Sequence, residues 1–263
     1  MSDQGKNGRH ALVTGAGSGI GKAIALALAA NGHRVSLCGR RAAPLEAVRE
    51  EIAGSGGEAF VHDGFDVTDP ASIETGIARA IERFGDIAVL VNCAGEAPSA
   101  PFDKTDLAMW SRVVGINLTG TFLVTQAALA SVRRAGNGRI VNVASTAGLT
   151  GYAYVSAYCA SKHGVVGMTR ALALELARTD VTVNAVCPGF TDTPLLDNAV
   201  ETITGKTGRS TEEARATLAR ANPQGRLVTP QEVADTVLWL ASERATAITG
   251  QAIAVAGGEV LGG

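Results

Sequence analysis

Hydrophobic and polar positions along this chain follow two alternating patterns, which predict short strands separated by longer helices. Runs rich in β-branched residues predict seven strands. These strands span His10–Thr14, Arg34–Cys38, Glu58–His62, 88–91, Arg139–Val143, 181–186 and Ala252–Val255. Apolar residues at helical spacing predict helices over 19–31, Ala42–Gly54, Pro70–Phe84, 111–135, 156–178 and 230–242.

The alternation of strands and helices indicates the fold class. Strand Arg139–Val143 is almost continuously apolar, as expected where helices cover both faces of a parallel sheet. We therefore expect an α/β chain with a single Rossmann-type domain over residues 1–263, built on a doubly wound, seven-stranded parallel sheet. The carboxyl ends of the strands then lie at one edge, where ligands bind. An α/β barrel is the alternative.

Residues 193–225 interrupt this alternation before the helix that begins near Pro230. The segment contains two helical patterns, and Ser210 or Thr211 with Glu213 is typical of a helix N-terminal cap. Because the insertion follows the carboxyl end of a strand, we expect it to be a small helical lid over the substrate. A helical hairpin used only for packing or oligomerisation is the alternative.

Charge and cysteine content argue against several function classes. The formal net charge of −2 provides no basic field for nucleic acid or an anionic membrane. We see no uninterrupted apolar run of the roughly 18 residues that a membrane span needs, and the polar N-terminus lacks the apolar segment of a signal peptide. Four scattered cysteines without clustered histidines predict no metal site and a reducing, cytoplasmic location.

The first candidate site is the glycine-rich turn Thr14-Gly15-Ala16-Gly17-Ser18-Gly19-Ile20-Gly21, which follows the first strand and opens a helix. Glycine allows the tight turn, and the helix N-terminus presents unpaired N–H groups to an anion. This position is typical of dinucleotide binding. The predicted contacts from this turn are Gly15, Ser18, Gly19, Ile20 and Gly21.

The second candidate site is the pair Tyr158 and Lys162. Their spacing of four residues puts both side chains on one face of a predicted helix. A nearby cation favours phenolate, so we expect the pKa of Tyr158 to be lowered into a range useful for acid–base catalysis. Ser145, thirteen residues before Tyr158, is the third candidate residue of this site.

These motifs, in this order, resemble the short-chain dehydrogenase/reductase family from about residue 9 to the C-terminus. The matching segments are Thr14-Gly15-x-x-x-Gly19-Ile20-Gly21, Asp66-Val67, Asn92-Cys93-Ala94-Gly95, Asn117, Ser145, Tyr158-x-x-x-Lys162 and Pro188-Gly189-x-x-x-Thr193. Cys93 departs from the pattern, since the family usually has a second asparagine there. The resemblance implies an NAD(P)-dependent enzyme that interconverts a ketone and a secondary alcohol.

The resemblance also implies the cofactor contacts beyond the glycine-rich turn. Asp66 would accept from the adenine amino group, Val67 would pack on that ring, and the nicotinamide carboxamide would dock after the sixth strand. The full set of implied contacts is Asp66, Val67, Asn92, Ala94, Gly95, Tyr158, Lys162, Pro188, Gly189, Phe190 and Thr193.

The end of the second strand bears on the choice between NADP(H) and NAD(H). A carboxylate there binds the ribose hydroxyls of NAD(H) and repels a 2′-phosphate. This chain has Gly39 at that position, followed by Arg40 and Arg41, whose guanidinium groups can pair with the phosphate. NADP(H) is therefore favoured and NAD(H) stays possible, the alternative being that both arginines are only solvated.

By resemblance, the catalytic residues are Asn117, Ser145, Tyr158 and Lys162. Tyr158 would exchange the proton, Lys162 would lower the tyrosine pKa and bind the nicotinamide ribose, and Ser145 would hold the substrate oxygen. Asn117 would anchor a water that links Lys162 to solvent. His163 points about 100° away from Lys162 on a helix, so packing or an interface is the expected role for it.

The substrate is less well indicated by the sequence. Residues 161–190 resemble bacterial reductases of 3-oxoacyl thioesters on acyl carrier protein (ACP) or coenzyme A (CoA), and of polyketides. Thr146, Ala147 and Val155 provide no cation for a free short acid. An NAD-dependent 3-hydroxyacyl-CoA or secondary-alcohol dehydrogenase is the alternative, and a non-catalytic dinucleotide sensor is the alternative of another class. The resemblance further implies a homotetramer.

Overall fold

The computed structural model describes residues 8–261. Over these residues, seven parallel strands form one sheet in the order β3-β2-β1-β4-β5-β6-β7. The strands are β1 (His10–Thr14), β2 (Arg34–Cys38), β3 (Glu58–His62), β4 (Ile87–Asn92), β5 (Arg139–Val143), β6 (Thr182–Pro188) and β7 (Ala252–Val255). The strand order reverses direction between β1 and β4, which confirms the doubly wound fold and rules out the barrel.

Helices cover both faces of this sheet. They are α1 (Gly19–Ala30), α2 (Ala42–Gly54), α3 (Pro70–Phe84), α4 (Leu107–Val114), α5 (Gly120–Arg134), α6 (Ser156–Leu176), α7 (Pro194–Thr207), α8 (Thr211–Ala219) and α9 (Pro230–Ala241). A π-helical turn at Gly115–Thr119 joins α4 to α5. The predicted helix 111–135 therefore began too late, because Asp106 caps α4 by accepting from the Met109 N–H at 2.7 Å.

The alternation of side chains along β1 divides the core into two layers. Ala11 and Val13 face the layer formed with α1, α2 and α9, whereas Leu12 faces the layer formed with α3, α5 and α6. All three side chains are fully buried. Burial of each large apolar side chain stabilises the fold by roughly 1.5–3 kcal/mol. The continuously apolar strands of the sequence are thus the centre of a sheet covered on both sides.

The helical run Leu107–Arg134 is long and apolar enough, by length and composition, to cross a membrane. It is not an uninterrupted apolar run of the sequence, because polar residues are interspersed along it. In this fold Val124, Ala128 and Val132 of the run are fully buried in the core. Packing against the sheet thus accounts for the apolar face of this helix.

The insertion after β6 forms helices α7 and α8. Ser210 and Glu213 make the predicted capping box at the start of α8. Leu196, Val200 and Ala214 form a small buried cluster between the two helices. This cluster is separate from the two layers beside the sheet, so the insertion packs as a unit of its own over the carboxyl end of the sheet.

Candidate active site

Two adjoining hollows lie at the carboxyl ends of the strands. The first, the glycine groove, has a volume of about 160 Å³ and follows strands β1 to β4. The predicted cofactor residues that line it are Gly15, Ser18, Arg40, Arg41, Asp66, Val67, Ala94 and Gly95. The second, the apolar cavity, has a volume of about 660 Å³ and lies between the loops after β5 and β6 and helix α7.

The glycine-rich turn forms one wall of the glycine groove in a conformation that needs glycine. Gly15 and Gly19 have φ angles of +67° and +52°, which other residues rarely adopt. A Cβ on Gly15 would lie 3.0 Å from the Cα of Ala94, and one on Gly21 would lie 2.2 Å from the Gly15 carbonyl oxygen. The turn is therefore packed closely against the loop after β4 and against itself. Gly15, Gly17 and Ser18 line the groove directly before the N-terminus of α1, a position typical of diphosphate binding.

Opposite this turn lie the residues expected to bind the adenosine end. Arg40 and Arg41 line the groove, are exposed, and form no ion pair with a carboxylate of residues 8–261. Asp66 accepts from the Thr68 N–H at 2.9 Å and from the Thr68 hydroxyl at 2.7 Å, and these bonds lower the pKa of its carboxyl group. The groove thus combines an ionised carboxylate with two arginines that have no carboxylate partner.

The side chain of Asn92, a predicted cofactor residue, lies in the core and not in the glycine groove. Its amide donates to the Thr125 hydroxyl at 2.9 Å and to the Asn142 side-chain oxygen at 2.8 Å. Asn142 in turn donates to Thr169 at 2.9 Å. The Asn92 side chain therefore joins β4 to α5 and β5 inside the core, and its predicted contact with the cofactor is not supported by this side-chain position.

Tyr158, Ser145 and Lys162 meet at the junction of the two hollows. Ser145 and Tyr158 line the apolar cavity, and the Ser145 hydroxyl donates to the Pro188 carbonyl at 3.5 Å. The Lys162 ammonium lies 5.6 Å from the centre of the Tyr158 ring and donates to the Val143 carbonyl at 2.8 Å. Ser145 also caps a short turn by accepting from the Ala147 N–H at 3.1 Å. One helix and one loop thus bring the predicted trio together.

The pKa of Tyr158 differs from the value that the sequence led us to expect. Burial raises the pKa of Tyr158 to about 12, and hydrogen bonding from Ser145 offsets this only in part. Burial likewise lowers the pKa of Lys162 to about 8. Desolvation therefore outweighs the effect expected of the Lys162 charge, and the tyrosine is held as a neutral phenol that can donate a proton.

Asn117 lies in the π-helical turn Gly115–Thr119 and is fully buried. Its side chain exchanges two hydrogen bonds of 2.9 Å with the backbone of Glu96 and donates to Ser161 at 3.2 Å. A Cβ on Gly95 would lie 2.9 Å from the Asn117 side-chain oxygen and 3.8 Å from the Lys162 ammonium. Asn117 is therefore placed beside Lys162, behind the loop that follows β4.

The remaining predicted residues lie where the two hollows join. Ile20, Pro188, Gly189, Phe190 and Thr193 line the apolar cavity. A Cβ on Gly19 would lie 3.3 Å from Thr193, so the glycine-rich turn contacts the start of α7. His163 is exposed and bonds the Cys159 carbonyl at 2.9 Å, away from the reacting groups.

The sequence motifs did not identify Tyr152, Thr146 and Glu259 as part of this site. Tyr152 and Thr146 line the apolar cavity, and the Tyr152 hydroxyl contacts both Thr146, at 2.8 Å, and the Glu259 carboxylate. Glu259 is 107 residues from Tyr152 in the chain. Nothing in the local pattern around either residue predicts this contact, which depends on how β7 and its following segment pack beside β6.

Comparison with known proteins agrees with this geometry. A family model described as short chain dehydrogenase matches residues 9–204. A Streptomyces violaceoruber protein, named as a proposed ketoacyl reductase of the granaticin polyketide synthase, is 44% identical over 94% of this chain and 92% of that one. A D-beta-hydroxybutyrate dehydrogenase of Cupriavidus necator is 42% identical over 93% of this chain and 95% of that one.

A solved structure with the same fold supports this comparison. An actinorhodin polyketide ketoreductase variant, crystallised with NADPH, superposes with a TM-score of 0.93 at 43% identity, covering 98% of this chain and 99% of that one. A match of the family model over most of the chain, together with relatives of this identity, shows the family. The chain belongs to the short-chain dehydrogenase/reductase family and is an NAD(P)-dependent oxidoreductase that acts on CH–OH and C=O groups.

Proposed function

We propose that this enzyme is an NADP(H)-dependent reductase of bulky apolar ketones, and that its natural substrate is a 3-oxoacyl or polyketide thioester. The observation that carries this proposal is the apolar cavity. Its volume is about 660 Å³, the Ser145 and Tyr158 hydroxyls open into it, and Lys206 is the single charged residue among its described lining residues. A cavity of this size and polarity favours a large neutral ketone over a small charged acid.

The side chains at the junction suit reduction. The nicotinamide, when bound, supplies the hydride. Ser145 is placed to hold the carbonyl oxygen of a ketone in the apolar cavity, and Tyr158, kept protonated by burial, is placed to donate a proton to that oxygen. Lys162, buried to 5% exposure, is placed behind Tyr158 to stabilise the phenolate that remains. Asn117 anchors the loop beside the Lys162 ammonium.

The proposal of NADP(H) rests on the end of β2. Arg40 and Arg41 line the glycine groove, and Gly39 contributes no carboxylate that would repel a 2′-phosphate. A planar guanidinium pairs well with a phosphate. The solved relative that contains NADPH supports the same choice.

The proposal of a thioester rests on the rim of the apolar cavity, formed by α7 and α8. Arg215 is neutralised there by Asp192 and Asp197. Arg209 and Arg220, by contrast, converge on the Thr217 hydroxyl at 3.4 and 3.0 Å.

Lys206 lines the cavity itself, on the same pair of helices. Arg209 and Arg220 are further cations at the ends of these helices, and the carboxylates of Glu201, Glu212 and Glu213 balance the three positive charges. Lys206, at the wall of the apolar cavity, is the cation placed to pair with a phosphate of a carrier that tethers the acyl chain, whether ACP or CoA.

A free 3-hydroxy acid is the second candidate substrate, because a hydroxybutyrate dehydrogenase is among the relatives. The positions near the reacting hydroxyls are Thr146, Ala147 and Val155, which carry no charge. A carboxylate placed there would lose its water without gaining a cation. We therefore rank this candidate below the thioester. A non-catalytic sensor ranks lower still, since Tyr158 and Lys162 are both in place.

The assembly and location that we propose are a homotetramer in the cytoplasm, without a membrane or nucleic-acid partner. Leu174 is 79% exposed and Trp239 is 42% exposed, on helices α6 and α9. A second copy of the chain would cover such apolar side chains.

The test of the proposed function is a turnover screen with NADPH and NADH. It compares a 3-oxoacyl thioester of eight or more carbons, a two-ring ketone and free acetoacetate. We expect the first two to be reduced with NADPH and free acetoacetate to be reduced poorly. Fastest turnover of acetoacetate with NADH would replace this proposal with the hydroxybutyrate dehydrogenase alternative.

A further inference from the structure

The wall of the apolar cavity contains a polar contact that the proposed chemistry does not use. Tyr152 donates its hydroxyl hydrogen to the Glu259 carboxylate, and the Thr146 hydroxyl lies 2.8 Å from the same phenol oxygen. The Tyr152 ring packs edge-on against Phe190, with ring centres 5.9 Å apart. Tyr152 is therefore held from three sides, by the loop after β5, the loop after β6 and the segment after β7.

The carboxylate of Glu259 occupies a space that exists because residue 189 is glycine. A Cβ on Gly189 would lie 2.6 Å from the second carboxylate oxygen and 3.1 Å from the Ala256 side chain. That second oxygen is buried and has no hydrogen-bond donor within residues 8–261. A buried acceptor without a donor costs stability. The stability of the fold therefore does not by itself account for a carboxylate at this place.

We propose that Glu259 is a positioning residue that sets the size of ketone the enzyme accepts. This inference rests on the proposed function. Glu259 holds the Tyr152 hydroxyl toward the segment after β7, so the ring stands as a wall of the cavity and leaves its volume open. Without the carboxylate, Thr146 and Phe190 are the remaining contacts of Tyr152, and both lie on the loops that line the cavity. The ring is then no longer held toward the segment after β7 and can rotate into the space that a bulky ketone needs.

Loss of Glu259 should impair the reduction of large ketones more than that of small ones. A small ketone still reaches Ser145 and Tyr158 when the Tyr152 ring intrudes, whereas a two-ring ketone meets the ring. A misfit equivalent to about one methylene group in a pocket changes specificity by roughly 10–200-fold. We therefore expect loss of Glu259 to lower the preference for the large ketone by about tenfold or more, mainly through its KM.

The experiment compares 2-tetralone with the N-acetylcysteamine thioester of acetoacetate. The variants are Glu259→Ala, Glu259→Gln, Tyr152→Phe and the double variant Glu259→Ala with Tyr152→Phe. Glu175→Ala, at an exposed position of α6, is the matched control. Each variant is assayed for kcat and KM with both ketones, and the affinity for 2-tetralone is measured by calorimetry on the NADP+-loaded enzyme.

We expect Glu259→Ala and Tyr152→Phe to shift the ratio of kcat/KM for the two ketones by similar factors, and the double variant to shift it no further than either alone, because both remove the same hydrogen bond. Glu259→Gln keeps an acceptor oxygen and should retain most of the preference. The inference is overturned if kcat/KM falls by the same factor for both ketones. It is also overturned if the effects of Glu259→Ala and Tyr152→Phe on the ratio add in the double variant. Failure of the unmodified enzyme to reduce either ketone would instead refute the proposed function, and the calorimetry would still report on the cavity wall.

Discussion

We expect the choice of cofactor to depend on the neighbouring positions Gly39, Arg40 and Arg41 and to be reversed by two substitutions. In Gly39→Asp with Arg40→Leu, the new carboxylate would accept from the ribose hydroxyls and repel a 2′-phosphate, while loss of the arginine removes an attraction. The site tolerates the change, because Gly39 has no positive φ and a Cβ there would lie 3.5 Å from Leu45, an ordinary contact. Arg40 is exposed, and among residues 8–261 it forms no ion pair that the substitution would break.

The magnitude follows from the contact that Arg40 would make. A hydrogen bond to a charged group contributes roughly 1.5–3 kcal/mol, and about 1.4 kcal/mol corresponds to a factor of ten. We therefore expect the unmodified enzyme to prefer NADPH over NADH by about 10–100-fold in kcat/KM. The double variant should prefer NADH, and Arg40→Leu alone should reduce the preference without reversing it.

The assay measures initial rates with NADPH and NADH at one ketone concentration. Arg178→Leu, at an exposed position near the end of α6 and away from the glycine groove, should leave the ratio unchanged. An unmodified enzyme that favours NADH would refute the reasoning, since both arginines would then face solvent without contacting the cofactor. A double variant that still favours NADPH would show that Arg41 or another group binds the phosphate.

Three further predictions concern catalysis, acid stability and assembly. Tyr158→Phe removes the proton donor, so turnover should fall by about 10²–10⁴-fold while cofactor affinity measured by fluorescence is kept; activity within a few-fold of the parent would contradict this role. Burial lowers the pKa of His10 and of His62 to about 4 in the folded state, and Arg34 and Arg79 act in the same direction. The unfolded chain therefore takes up protons below pH 6.5 that the folded chain does not, so the free energy of unfolding should fall as the pH drops from 6.5 to 4. At pH 5 the expected loss is roughly 2 kcal/mol for each histidine. Equal free energies of unfolding in urea at pH 7.5 and pH 5 would disprove this prediction. Light scattering at micromolar concentration should give the mass of a tetramer, and a monomer would overturn the proposed assembly.

Much of the fold was predictable because its signals are local. Each strand of the sheet coincides, within one or two residues at its ends, with a β-branched run of the sequence, and the glycine-rich turn marks where β1 meets α1. The capping box of Ser210 and Glu213 likewise lies within one short segment. The start of α4 was less visible, because a π-helical turn at Gly115–Thr119 shifts the helical period in the middle of the run.

The placement of Ser145, Tyr158 and Lys162 in one site was predictable from spacing and family resemblance, but the electrostatics of that site were not. The distance of four residues between Tyr158 and Lys162 does place them side by side on α6. Their pKa values, however, depend on how much water the surrounding loops exclude, and burial moves the tyrosine in the opposite direction to the one expected. Desolvation is a property of the assembled site, so no pair of sequence positions reveals it.

The sequence by itself determined the parallel sheet, the glycine-rich turn and the helix that carries Tyr158 and Lys162, because hydrophobic period, glycine conformation and helical spacing act over a few residues. Only the tertiary structure decided that the Asn92 side chain faces the core and that Glu259 meets Tyr152 from 107 residues away. Those contacts depend on which strands become neighbours and on which side-chain atoms are left needing a hydrogen-bond partner when water is removed. The size of the apolar cavity, on which the proposed choice of ketone rests, belongs to this second group.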